Sequence, residues 1–368
     1  MKYLEKGLEI VKNIEEAGYA AYIVGGAVRD YVLKKEIHDI DIATNLPMEK
    51  LYKMYPVIES GINYASVSVE SEGFLFEITH FRKDIAYADY RHPEIVLVDS
   101  LKEDVKRRDF TVNALAMDGS GQIIDYFNGL GDIQAKLIRM IGDPYIRLKE
   151  DALRILRALY FSSKLGFRIE QSTLEAMAEH KRLLSFLSQE RIFSYFKKIL
   201  YAEFSYGTDY IVKYDFFEFI EEYKKWLKIV NKNCNSDDLC IYYYLEYGQY
   251  PAVSKSEDKK HCLIVKNIIE NHFSNYILYR YQKEIPGFFH LFSTLGYDTA
   301  EIAERLNQLK IKSDRELDLS KGDISKLFHG KMISIAIEEV IKAILDGRID
   351  NDKKSILIFL KGLDVVEC

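Results

Sequence analysis

Apolar and polar residues alternate in two different rhythms along this chain, and the change falls near residue 144. The opening stretch MKYLEKGLEIVKNIEEAG has amphipathic helical spacing and predicts a helix over about residues 2–16. A short apolar strand, AAYIV (20–24), leads into Gly25-Gly26 and then a helix over AVRDYVLKK (27–35). Strand patterns follow at HDIDIAT (38–44), FLFEITHFR (74–82) and EIVLVDS (94–100), and NALAMDGSGQIIDYF (113–127) reads as a hairpin turned by Asp118-Gly119. Beyond Pro144 the spacing becomes helical. LKEDALRILRALYFSSKLG (148–166) runs to a stop at Gly166, TLEAMAEHKRLLSFL (173–187) forms the next helix, and no strand is predicted after that boundary. Residues 206–300 are rich in Tyr and Phe, including YYYLEYGQY (242–250). Such rings can stack on bases, but at helical spacing they are expected in the core. The fold class predicted is α+β: a mixed β-sheet with helices, then an all-helical remainder.

At 368 residues the chain can bury a substantial core and form two or more domains. With 48% apolar and 29% charged residues and only six prolines, no segment reads as disordered. The first residues look like a helix rather than a signal peptide, and no apolar run is long enough to cross a bilayer. Cys234, Cys240, Cys262 and Cys368 lack paired metal-ligand spacing, which fits a reducing cytoplasm. The net charge of −6 argues against indiscriminate nucleic-acid binding but not against a local basic channel.

The densest chemistry lies in IVGGAVRDYVLKKEIHDIDIAT (23–44). On a strand, Asp39 and Asp41 share one face while Ile40 and Ile42 share the other. Two adjacent carboxylates repel, and a hard cation with oxygen ligands, Mg²⁺ above all, is their natural neutraliser; a solvated strand edge is the other reading. Gly25 and Gly26, between strand and helix, allow close backbone approach to a phosphate, and Arg29 sits in a first turn, a poor place for a cation unless an anion is near. Glu77 projects from its strand opposite Phe76 and Ile78 and is the candidate third carboxylate of a phosphoryl-transfer site. No Walker loop is present.

GGAVRDYVLKKEIHDIDIAT resembles the signature of the class II tRNA nucleotidyltransferase and bacterial poly(A) polymerase family. KRRDFTVNALAM (106–117), DYFNGLGDIQAKLIRMIGDP (125–144) and EDALRILRA (150–158) continue the resemblance in order, and LDLSKGDISKLF and ILDGRIDN resemble a tail segment of its CCA-adding branch. The resemblance implies a catalytic head (1–144), a helical neck carrying a base-reading helix (145–205) and an RNA-binding helical body and tail (206–368). It implies two Mg²⁺ ions on Asp39 and Asp41. It also implies nucleotide contacts from Gly25, Gly26, Arg29, Arg108, Asp109, Asn113, Asp151, Arg154 and Arg157, with Asp109 accepting from the ribose 2′-OH. The implied partners are the tRNA 3′ end, CTP and ATP, with no membrane involved.

Within EDALR, Asp151 and Arg154 at i, i+3 are expected to share a helix face. A carboxylate accepts from an exocyclic amine and a guanidinium donates to ring acceptors, so one such pair suits both cytosine and adenine. An ordinary intrahelical ion pair is the alternative. RKDIAYADYRHPEIVLV (82–98) resembles the full-length loop that CC-adding relatives lack, so CCA addition is favoured over CC addition. An A-adding enzyme, a poly(A) polymerase and a catalytically silent RNA-binding homologue remain the alternatives. One departure stands out: ERIFSYF (190–196) has Tyr195 where the resemblance expects glutamate.

Overall fold

A computed structural model describes residues 2–61, 65–87, 93–230 and 238–363; Cys234, Cys368 and the tip of the expected 82–98 loop lie outside them. Two compact units are distinguished, residues 1–224 and 225–368.

The first unit opens with α1 (Lys2–Glu16), whose buried stripe of Gly7, Ile10, Val11 and Ile14 recurs at helical spacing. A Cβ on Gly7 would stand 3.1 Å from Ile23 Cδ1 and 3.3 Å from Ile40, so the missing side chain lets α1 lie close on the sheet. The strands are β1 (Ala21–Val24), β2 (Ile40–Thr44), β3 (Val57–Gly61), β4 (Ser66–Ser71), β5 (Phe74–His80), β6 (Arg82–Tyr87), β7 (Pro93–Leu97), β8 (Ala116–Met117) and β9 (Ile123–Ile124). Seven of them form one sheet in the order β3-β4-β5-β2-β1-β8-β9, and β6 pairs with β7 as a separate ribbon. β2 and β5 run parallel; β1 is antiparallel to β2 and β8. The helices of this part are α2 (Gly26–Val32), α3 (Met48–Met54), α4 (Leu101–Lys106) and α5 (Gly129–Ala135).

β3 and β4 are not predicted by the pattern. β4 alternates serine with valine, a weak signal; Val67 and Val69 are nevertheless buried because β4 pairs on both edges. The predicted hairpin forms, but its left-handed residue is Gly121 (φ 86°) rather than Gly119. Asp118 Oδ1 accepts from Ser120 N and Gln122 N, both at 2.9 Å, and this side-chain cap shapes the loop.

After the head the chain is helical: α6 (Pro144–Glu150), α7 (Leu153–Leu165), α8 (Gln171–Glu179), α9 (Gln189–Leu200) and α10 (Tyr206–Tyr214). Gly166 ends α7 in the left-handed region (φ 69°), as predicted. The expectation of no strand beyond Pro144 is corrected by one two-residue strand. Arg168–Ile169 (β11) pairs in parallel with Leu137–Ile138 (β10), and two residues are too few to show a period. The predicted helix over 173–187 is broken at His180, after which Lys181–Phe186 form a 3₁₀ turn. α11 (Glu221–Val230) spans the division between the units. In the second unit α12 (Leu239–Tyr247) and α13 (Ser256–Glu270) are followed by further helices ending with Lys353–Lys361. Tyr242, Tyr243 and Tyr244 are buried there, in agreement with the core reading of the aromatic run. No helix among the described residues is long and apolar enough to cross a membrane.

α10 crosses α7 at a glycine. A Cβ on Gly207 would lie 2.5 Å from both Leu159 O and Ser163 Oγ, and Gly207 N donates to that hydroxyl at 2.8 Å. Gly207→Ala is therefore expected to cost about 1–3 kcal/mol, seen as a lower urea midpoint with unchanged slope. An unchanged midpoint would contradict the close crossing.

Candidate active site

Strand alternation and sheet register build the floor of a cavity of about 650 Å³. β2 buries Ile40 and Ile42 and leaves Asp41 exposed; β5 buries Phe76 and Ile78 and leaves Glu77 exposed. The parallel register sets Asp41 directly beside Glu77. Asp39, one residue before β2, also lines the cavity, so all three expected carboxylates gather there. Tyr3 fixes this edge: its hydroxyl accepts from Ile40 N at 3.2 Å and donates to Leu75 O at 2.5 Å. Asp41 is pushed above the usual aspartate range, foremost by loss of surrounding water. Arg108 opposes that rise, whereas Glu77 and Asp39 add to it. Its side chain opens on the cavity, which reconciles its exposed edge with this crowding.

The Gly25-Gly26 turn forms the next wall. Gly25 has φ 76°, and a Cβ there would meet Arg108 Nη1 at 2.8 Å. Glycine is required for both the backbone angle and the seat of that guanidinium. Arg29 is buried, and the anion that accounts for it is internal. It makes a two-pronged contact with Asp30 (Nε–Oδ1 2.8 Å, Nη2–Oδ2 2.9 Å) and donates to Asn113 Oδ1 at 2.5 Å. Asn113 Nδ2 in turn donates to Asp109 Oδ1 at 3.1 Å. Asp109 also accepts from Phe110 N at 2.8 Å and from Arg157 Nε at 2.5 Å. Arg157 Nη1 reaches Tyr195 OH at 3.4 Å. A continuous polar chain thus runs from Asp30 through Arg29, Asn113, Asp109 and Arg157 to Tyr195, joining α2, the RRD turn, α7 and α9. The ring of Phe161 lies 5.3 Å from the guanidinium carbons of both Arg29 and Arg157.

Two expectations about the neck change. Asp151 and Arg154 do not share a helix face: α6 ends at Glu150, Asp151 is extended, and α7 begins at Leu153. The reason is local, since Asp151 Oδ1 accepts from Leu153 N at 2.9 Å and so caps the new helix. Arg154 is buried, donating to Arg147 O (2.5 Å), Glu150 Oε2 (3.1 Å) and Arg107 O (3.3 Å). Both residues still line the cavity. Arg157, expected among the nucleotide contacts, lines the cavity and pairs with Asp109. Tyr195, where the resemblance expects glutamate, contacts Arg157 through its hydroxyl.

Residues outside the motif reading support the wall from behind or join it. Arg147 Nη2 donates to the carbonyls of Arg107 and Arg108 at 2.5 and 3.0 Å. Asp104, fully buried on α4, binds Arg107 and Arg108. Its i, i+3 and i, i+4 spacing to the two arginines was a legible signal. Arg82, at the start of β6, lines the cavity as well.

Burial alone would raise the Asp109 carboxyl; Arg157, Asn113 and Phe110 N–H overcome this and hold it below the usual aspartate range. A lowered folded-state value means stability that is present above the ordinary aspartate pKa and lost as pH falls through the lowered one. Asp109→Asn is expected to cost about 2 kcal/mol at pH 7. Denaturant titrations should show the gap to wild type closing below about pH 4, the ordinary aspartate range. A gap that stays constant down to acid pH would rule out the ionised pair.

Comparison with known proteins agrees with this architecture. Residues 21–139 match the Poly A polymerase head domain, and residues 166–227 match the family described as a probable RNA and SrmB-binding site of polymerase A. A CCA-adding enzyme of Streptococcus pyogenes serotype M3 is 35% identical, with 97% of this chain and 96% of that protein covered. The crystal structure of Bacillus stearothermophilus CCA-adding enzyme in complex with CTP superposes with a TM-score of 0.79 at 26% identity, covering 98% and 97% of the two chains. A Thermotoga maritima CCA-adding enzyme complexed with tRNA shares the fold, with a TM-score of 0.56 at 18% identity and coverage of 97% and 94%. A sheet that aligns Asp41 with Glu77, an RRD turn packed on the neck helices, and likeness sustained over nearly the whole length have one common account: this chain belongs to the CCA-adding enzyme family of tRNA nucleotidyltransferases.

Proposed function

We propose that this cavity transfers nucleotides from CTP and ATP to the 3′ end of tRNA, building CCA without a nucleic-acid template and releasing pyrophosphate. The observation that carries the reading is the register of β2 on β5, which concentrates Asp39, Asp41 and Glu77 opposite the arginines of the RRD turn. The similar B. stearothermophilus enzyme has a structure in complex with CTP, another CCA-adding enzyme of the same fold has one with ATP, and the T. maritima relative has one with tRNA.

The carboxylates fit a divalent cation: burial raises Asp41 first, Glu77 and Asp39 add to the rise, and a cation between them would relieve both. Among the described residues no three His, Cys, Asp or Glu side chains converge on one metal position. The protein therefore supplies part of an oxygen shell and leaves room for water and phosphate oxygens, as Mg²⁺ ordinarily requires. Mg²⁺, when bound, would lower the charge on the triphosphate and favour the ionised primer hydroxyl. Asp39 and Asp41 would hold it, with Glu77 beside them. The remaining work is positioning and charge stabilisation. The primer O3′ attacks the α-phosphorus, a P–O bond to the primer forms, and the bond to the β-phosphate breaks. Arg108 over Gly25 and the Gly25-Gly26 backbone face the phosphates. Asp109, aligned by Asn113 and Arg157, faces the ribose. Asp151 on the cavity wall accepts from the amine of cytosine or adenine, and Arg154 backs the same wall. The head (1–144), neck (145–205) and RNA-binding body and tail (206–368) remain the functional division we favour, with a cytoplasmic location and Mg²⁺ as the cation.

The test offers tRNA ending at position 73, at C74 or at C75 with each nucleotide alone and with CTP plus ATP. CCA synthesis from the shortest primer is expected. Extension of the CC-ended primer alone would instead mean an A-adding enzyme, and a long A tract a poly(A) polymerase. Asp41→Ala should reduce incorporation of both nucleotides by roughly 10³-fold or more; retained incorporation would remove the carboxylates from the chemistry.

A further inference from the structure

We infer that Asp104 is a positioning residue for the reaction: by binding Arg108, Arg107 and the root of the β6–β7 ribbon together, it sets the affinity of the site for the nucleotide triphosphate. The inference rests on the nucleotidyl-transfer reading of the cavity.

Asp104 is completely buried, and both its oxygens are occupied by groups at the cavity wall. Oδ1 accepts from Arg107 Nε at 3.1 Å and Nη2 at 2.9 Å, and from the main-chain N–H of Arg82 at 3.3 Å. Oδ2 lies 3.4 Å from Arg108 Nη2. Arg82, Arg107 and Arg108 all line the cavity, whereas Asp104 does not. The carboxylate therefore stands behind three cationic residues and offers the substrate nothing directly. Holding like charges close together is unfavourable unless something between them is negative. Asp104 supplies that charge while the site is empty, and it engages only Nη2 of Arg108. Arg108 is the sensitive member. Its other nitrogen, Nη1, packs over Gly25, and its charge acts on Asp41. Without Asp104, the simplest relaxation for Arg108 is toward Asp39, Asp41 and Glu77, into the place the cation and phosphates need. The main-chain N–H of Arg82 gives the same carboxylate a hold on β6, the first strand of the 82–98 segment, so the wall of the triphosphate site and the base of that segment are pinned at one point.

The inference predicts a change in nucleotide binding more than in turnover. In the full-length protein, Asp104→Asn keeps the shape and removes the charge. It is expected to raise KM for CTP and for ATP by about tenfold with kcat within about twofold, and to weaken inhibition by pyrophosphate in parallel. Because Asp104 acts through Arg108, Asp104→Asn should add little to KM in an Arg108→Ala background, so the double-mutant cycle should be strongly non-additive. Equal losses in kcat and kcat/KM with KM unchanged, or additive effects in the cycle, would overturn the role. Should Asp104→Asn not fold, the wild-type complex with CTP and Mg²⁺ decides. Arg108 is expected to touch a phosphate oxygen while still bound to Asp104; an Arg108 that leaves Asp104 on binding CTP overturns it. A protein that incorporates neither nucleotide under any condition refutes the underlying reaction instead, an outcome distinct from active enzyme indifferent to Asp104.

Discussion

Carboxylates brought within one strand spacing of each other repel, and the first unit is organised around making that repulsion useful. Parallel strands have evenly spaced, slanted hydrogen bonds, and a one-residue slip would turn every side chain to the other face. The pairing of β2 with β5 therefore fixes Asp41 next to Glu77 as firmly as it fixes Ile42 next to Ile78 in the core. The apolar partners supply the stability that holds the acidic ones together. Tyr3 adds a local lock at the point where Asp39 gives way to Ile40. Nothing on the acidic face has to be stable by itself, because its geometry is inherited from the face beneath.

The cationic side is held differently, by buried hydrogen bonds more than by sheet register. The backbone of Arg107 and Arg108 receives donors from Arg147 on α6 and, at Arg107, from Arg154 on α7. Their side chains are gathered by Asp104 on α4. Asp109, next in sequence, is claimed by Asn113 and Arg157. Removing one member of such a network strands another buried polar group, so its parts are coupled energetically. The arginines of α6 and α7 thus fasten the RRD turn to those two helices. That geometry gives the abrupt switch from sheet to helix near residue 144 its purpose, because the helices form the rear wall of the site.

Much of this was legible in the sequence where a residue type and a period agreed. The Asp39–Asp41 face, the Glu77 face and the glycine turn all follow from alternation along single strands and from the backbone freedom of glycine between strand and helix. What period could not show was the break between α6 and α7. Asp151 and Arg154 have good helical spacing, and only the capping bond from Leu153 N to Asp151 reveals that the helix restarts there. The partner of Arg157 was hidden for another reason: Asp109 is 48 positions away, and pairing at that separation belongs to tertiary structure. Arg29 shows the limit of reasoning from local electrostatics. The anion it requires is its own neighbour, Asp30, and sequence spacing alone gives no reason to prefer an internal carboxylate over a bound phosphate. The short β11 and the serine-rich β4 were missed because their pairing partners, not their composition, make them strands.

The overall charge of −6 and a triphosphate substrate are compatible because the relevant electrostatics are local. At physiological salt, exposed charges farther apart than about 8 Å are largely screened from one another. A nucleotide entering the cavity therefore responds to the few groups on its walls. Those groups differ in how far they are already neutralised. Arg29 is matched by Asp30 and Arg157 by Asp109, each at hydrogen-bonding distance. Arg107 and Arg108 share the single carboxylate of Asp104. Asp41 sits among further acids, and Arg108 acts to lower it. The incomplete balance lies where acidic floor and cationic wall meet, and a divalent cation together with a polyphosphate, as proposed above, would supply both missing signs at once. The fold thus keeps its matched pairs for structure and leaves its mismatches on the walls of the cavity.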